Sequence, residues 1–77
     1  MKELLKSVIE PLVRFPEELV IEEKIQGREI VLTVSANPDD IGRVIGRGGR
    51  TIGALRTVVK ASAVKSNRRV LVDVIDD

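Results

Sequence analysis

The chain contains no cysteine, histidine, tryptophan or tyrosine, and Phe15 is its only aromatic residue. Without thiolates or imidazoles, zinc sites of the usual kind and disulfide frameworks are excluded. The serines stand without a His or Cys partner, so the common nucleophile and acid–base pairs cannot be assembled, and an enzyme is not expected. Stacking platforms that need several aromatics are likewise unavailable, and the core must be built from Val, Ile and Leu. No apolar run is long enough for a membrane span or signal segment, which leaves a cytoplasmic location as the expectation. Nothing in this inventory calls for a cofactor or a metal.

Acidic residues are missing from one long stretch. Residues 1–40 carry five Lys/Arg against nine Asp/Glu, whereas residues 41–72 carry Arg43, Arg47, Arg50, Arg56, Lys60, Lys65, Arg68 and Arg69 with no acid at all. Three aspartates close the chain and bring the net charge to +1. A basic half hidden inside a near-neutral total is the footprint of a polyanion site, or else an ordinary solvated helix face. At 77 residues, 43% of them hydrophobic, the sequence fits one small domain, residues 1–77, of limited stability unless it packs well or associates.

Leu4, Leu5, Val8, Ile9, Leu12 and Val13 recur at helical spacing and predict a helix over residues 2–14, loosened late by Pro11 and ended by Phe15-Pro16. Residues 18–25 and 29–36 alternate as strands around a Gln26-Gly27 turn: Leu19, Ile21 and Ile25 share one face of the first, Ile30, Leu32, Val34 and Ala36 one face of the second. Asn37-Pro38-Asp39-Asp40 opens a helix as cap, first-turn proline and two acids at the positive end of the dipole. That helix reaches about Ile45, Gly46-Arg47-Gly48-Gly49 interrupts it, and a second runs from about Arg50 to about Val64 with Ile52, Leu55, Val59 and Ala63 inward. Lys65–Arg68 reads as a loop and Val70, Val72 and Val74 as a last strand. The expected fold is α+β: helix, strand, strand, helix, helix, strand, a three-stranded mixed sheet with its helices on one face.

The informative stretch is Val44-Ile45-Gly46-Arg47-Gly48-Gly49-Arg50-Thr51-Ile52. Glycines between two short helices let a backbone approach closely, and the second helix points its unpaired N–H groups at that turn, a site made for phosphate. Arg47 and Arg50 flank it with charge. A P-loop would need glycine where Val44 stands and lysine where Arg50 stands. A dinucleotide fingerprint would need a small residue at Thr51 and a strand, not a helix, before the loop. A purely structural glycine turn remains the plain alternative.

These residues resemble the signature of KH domains, in which a GXXG loop joins two helices and clamps about four nucleotides of single-stranded backbone. The element order resembles the type II, bacterial arrangement across nearly the whole chain. The stretch Asp40 to Arg47, with Arg50-Thr51-Ile52 and Leu55-Arg56, is similar to the KhpA family of small stand-alone bacterial KH proteins. That resemblance implies single-stranded RNA binding in post-transcriptional regulation or as an RNA chaperone, homodimerisation, and pairing with a larger KH-containing partner, KhpB. It implies that phosphates ride over Gly46, Arg47, Gly48 and Gly49, with Arg50 and Arg43 adding charge; from spacing, Ile41, Val44 and Ile45 are candidates for the floor of a groove for bases, or else plain core. Members often carry lysine inside the loop; Gly48 here gives up one phosphate contact and gains flexibility. Val58 falls beside the buried stripe of its helix and is either a dimer contact or an ordinary boundary residue. An interaction domain with weak or vestigial RNA binding, and a binder of single-stranded DNA, remain the competing expectations.

Overall fold

The computed structural model describes residues 1–75, and the acidic Asp76-Asp77 end of the sequence lies outside the described residues. α1 spans Lys2–Ile9, β1 Val20–Gln26, β2 Glu29–Ser35, α2 Pro38–Ile45, α3 Arg50–Lys65 and β3 Arg69–Val74. The sheet order is β1-β2-β3, with β1 antiparallel to β2 and β2 parallel to β3. A hairpin needs only the Gln26-Gly27 turn, with Gly27 at φ 61°, whereas the parallel pair needs the crossover supplied by α2 and α3.

Pairing in register brings Ile30 beside Val70, and Leu32 beside Val72, all on one face. Those residues, with Ile21 and Val34, pack against Leu5 and Ile9 of α1, Val44 of α2, and Ile52, Leu55, Val59 and Ala63 of α3. The opposite face carries Glu22, Lys24, Thr33 and Asp73 to water, the alternation of a sheet covered on one side only. Each enclosed Leu, Ile or Val contributes about 1.5–3 kcal/mol of transfer free energy, so this aliphatic layer is what holds α2 and α3 in place. The architecture is the α+β, three-stranded mixed sheet expected from the residue pattern.

Boundaries differ where proline and tertiary contacts act. The first helix stops at Ile9 and tightens into a 3-10 turn, Glu10–Leu12, because Pro11 has no N–H for the bond that would continue it. A second 3-10 turn at Pro16–Glu18 delays β1 to Val20. Ile25 lies on the inner face yet remains 54% exposed. On that same face Glu23 accepts a hydrogen bond from the Lys2 N–H (3.3 Å), placing a carboxylate at the α1 N-terminus.

Candidate nucleic-acid interface

Asn37 caps α2 as its position suggests: the Asp39 N–H donates to Asn37 Oδ1 at 2.8 Å, while Asn37 Nδ2 donates to Glu18. The two aspartates then part company. Asp39 is exposed, but Asp40 is fully buried, its two oxygens accepting from the N–H groups of Arg14 (2.9 Å) and Phe15 (3.0 Å). Asp40 therefore does more than complement the dipole. It ties the start of α2 to the α1–β1 connector, and both oxygens are satisfied despite burial.

α2 ends on the bond from Gly46 N–H to the Gly42 carbonyl, and the chain turns through Arg47–Gly49. Gly46, Gly48 and Gly49 all take positive φ, at 79°, 64° and 77°. Their surroundings differ. A Cβ on Gly46 would collide with the Thr51 side chain and stand 2.7 Å from the Thr51 backbone nitrogen, whereas one on Gly48 or Gly49 would meet nothing within 4 Å. The loop is pinned at its first glycine and open along its middle.

Gly49 sits at the N-cap of α3, where no side chain caps the helix. The positive end of α3 thus opens beside the exposed Arg47, Gly48 and Arg50. Arg43 is exposed on the last turn of α2, and among the described residues none of these three arginines has a carboxylate within ion-pair distance. Local charge, backbone freedom and helix polarity converge on one spot.

The apolar candidates divide by depth. Ile45 is half-buried against the core, Ile41 keeps 6% of its surface, and Val44 keeps none. As it stands Val44 offers no surface to a ligand, because the sheet and α3 need its side chain to hold α2 down.

A groove lies between α3 and the outer edge of β3, lined by Arg56, Lys60, Arg69, Val70, Leu71 and Val72. Arg56 donates to the Val72 carbonyl through both Nε (3.2 Å) and Nη2 (3.0 Å). The positions of Arg56 and Lys60, one turn apart beside the inner stripe, are visible in the sequence; the Val72 contact is not, since it depends on which edge β3 occupies. Val58 lies on the other flank of α3 at 48% exposure, bordering an apolar cleft with Val8 of α1 and Ala54.

A family model described as KhpA/KhpB, KH domain matches residues 2–74. The protein named RNA-binding protein KhpA from Clostridium acetobutylicum is 44% identical over 75 residues, covering 97% of this chain and all of that one. Its namesake from Leifsonia xyli subsp. xyli is 49% identical over 73 residues, 95% of this chain and 93% of the relative. The one from Oceanobacillus iheyensis is 41% identical over 75 residues, again covering the whole relative. No solved structure matches. With the matched span running from α1 through β3 and the glycine loop standing between its two helices, the chain belongs to the KhpA/KhpB KH-domain family.

Proposed function

We propose that this chain is a non-catalytic module for single-stranded RNA, which it grips by the phosphate backbone over Gly46–Gly49. The observation that carries the reading is the loop itself: three positive-φ glycines set against the uncapped start of α3, between exposed arginines. Backbone N–H groups and helix polarity supply the anion cradle, and Arg43, Arg47 and Arg50 add charge-assisted contacts. Bases lie toward Ile41 and Ile45. Relatives named as RNA-binding proteins point the same way. Without aromatic platforms, recognition rests on shape and base-edge hydrogen bonds, which gives modest affinity and low sequence preference. A role as an RNA chaperone or post-transcriptional regulator suits such a binder.

The test is fluorescence anisotropy of a labelled single-stranded RNA against salt, comparing wild type with the double substitution Arg47→Asp/Gly48→Asp. Gly48 has open space around it and a left-handed backbone that Asp tolerates better than most residues, so the variant is expected to fold. Neutralising about three phosphates gives a log–log salt slope near −2, at roughly 0.7 per phosphate on a single strand. Loss of that binding in the folded variant supports the loop as the site, and equal binding by both proteins rejects it. A matched DNA oligomer reports whether the 2′-OH is read.

A specific observation also favours a protein partner. Leu4, Val8 and Leu12 are 38–40% exposed, and Val58 is 48% exposed beside Val8. We assign this apolar face to a homodimer contact centred on Val58, with a larger KH-containing, KhpB-like protein as the other occupant. Pairing two weak RNA sites in one particle raises avidity without new contacts to RNA.

A further inference from the structure

The apolar face and the glycine loop have residues in common. The cleft between α1 and α3 is lined by Val8, Ala54, Leu55 and Val58, but also by Arg50 and Thr51. Arg50 is the first residue of α3 and flanks the loop. Thr51 is the residue whose side chain and backbone nitrogen crowd Gly46. A chain seated in that cleft therefore bears on the two residues that border the anion cradle.

Arg50, Ala54 and Val58 recur every four residues and are all exposed, so they form one row along α3. The row has a long side chain at one end, a branched one at the other and a methyl group between them. Such a row is complementary to itself under a two-fold axis through Ala54. Arg50 of each chain then meets Val58 of the partner subunit, and the small Ala54 side chain lets the two helices approach. This axis imposes an antiparallel crossing, which is also the one that charge favours. α3 has no acidic residue, and a parallel crossing would bring both Arg47/Arg50 clusters and both positive helix ends together.

In that contact the methylene stem of Arg50 lies on Val58 of the partner subunit, and its guanidinium stays in solvent beside its own loop. Among the described residues no carboxylate stands within ion-pair distance to draw that guanidinium away. A stem already held on an apolar surface gives up less rotamer freedom when phosphate arrives. Phosphate in turn offsets the positive charge that a second α3 has to approach.

Resting on the readings of the loop and of the Val58 contact given above, we infer that Arg50 serves both surfaces. Association of two chains and RNA binding at a single loop therefore strengthen one another. This differs from avidity, because it holds for an RNA too short to touch both loops. Reciprocity ties the effects together: the factor by which dimerisation tightens RNA at a loop is the factor by which filling that loop tightens the dimer.

The experiment uses tetrauridylate, which fills one four-nucleotide clamp and cannot span two. Anisotropy gives its affinity for wild type above the dimer dissociation constant, and for Val58→Asp and Val58→Lys. Sedimentation velocity reports association with and without the RNA. Val58 is 48% exposed, so both variants keep the core, and both are expected to be monomers. Their affinity for RNA is expected to fall about five-fold or more below wild type, the low end of ordinary coupling between sites. Lysine is the informative arm, since its added charge alone would tighten RNA, and a loss there comes from the missing partner. Saturating tetrauridylate is expected to lower the wild-type dimer dissociation constant at least as much. In an Arg50→Gln background, Val58→Lys should no longer weaken RNA binding. Wild-type affinity in the Val58→Lys monomer, a dimer constant indifferent to RNA, or a loss that persists with Arg50→Gln each overturns the coupling. A wild type that does not associate, or variants that still do, removes the Val58 contact and the coupling with it. Failure of the loop reading shows separately, as tetrauridylate binding unchanged in the Arg47→Asp/Gly48→Asp variant.

Discussion

Single residues in the site differ sharply in what they can become. Gly46 has no room for a methyl group against Thr51, and its positive φ adds strain, so Gly46→Ala is expected to cost roughly 2–4 kcal/mol in urea denaturation. Gly48→Ala meets only open space and should cost about 1 kcal/mol, the penalty of the left-handed backbone alone. If the two variants unfold at the same urea concentration, the close approach of Thr51 does not matter to stability. Asp40→Ala strands the Arg14 and Phe15 N–H groups and should lose roughly 3 kcal/mol. Asn is a poor replacement there, since its amide would turn a donor toward one of two donors; a chemical-denaturation midpoint near wild type for Asp40→Asn would contradict this account. The glycine loop and the Asn37 cap were legible because both act within a few residues. The clasp made by Asp40 was not, because its partners lie 25 and 26 residues away and no local pattern marks a carboxylate that turns inward.

At the scale of elements, periodicity located every helix and strand and also the inward faces of β2 and α3. The ends moved where local chemistry overruled it: Pro11 cut α1 back to Ile9, and the Pro16–Glu18 turn shortened β1. Strand order fixes something that no strand pattern contains, namely that β3 is an edge and that Arg56 can reach it. Arg56→Ala removes two donors from the Val72 carbonyl and should cost about 1 kcal/mol, discounted because the guanidinium is largely in water. Arg56→Lys should recover little of it, since a point charge cannot reproduce the two-pronged approach. A thermal midpoint restored to the wild-type value by lysine would show that charge alone suffices. By covering an outward carbonyl, Arg56 also discourages edge-to-edge pairing of β3 with another chain.

For the molecule as a whole, charge segregation and small size set the behaviour. The acid-free half was plain in the sequence, but its division between a loop pole and an Arg28/Arg68/Arg69 pole needed the fold, because Arg28 joins from the other side of the charge boundary. The exposed Leu4, Val8, Leu12 and Val58 surface should make wild-type stability depend on concentration, and Val58→Asp should abolish that dependence by leaving a monomer. Sedimentation velocity with thermal melts at several concentrations checks both. A thermal midpoint independent of concentration in wild type would remove the dimer from the account.

The contrast between the two ends of the glycine loop has a practical side. Thr51 holds the loop where it leaves α2, while Arg47 and Gly48 project into solvent and carry none of the core. Position 47 therefore behaves as a cassette, whereas position 48 accepts only residues that tolerate its left-handed backbone. Side chains at position 47 can be exchanged in a library to set the charge of the loop, from repulsive to strongly attractive toward an anion, with the scaffold left nearly constant beneath them. Selection acting on this chain has the same freedom at position 47, so the charge of the loop can change there without the protein first having to re-solve how to fold.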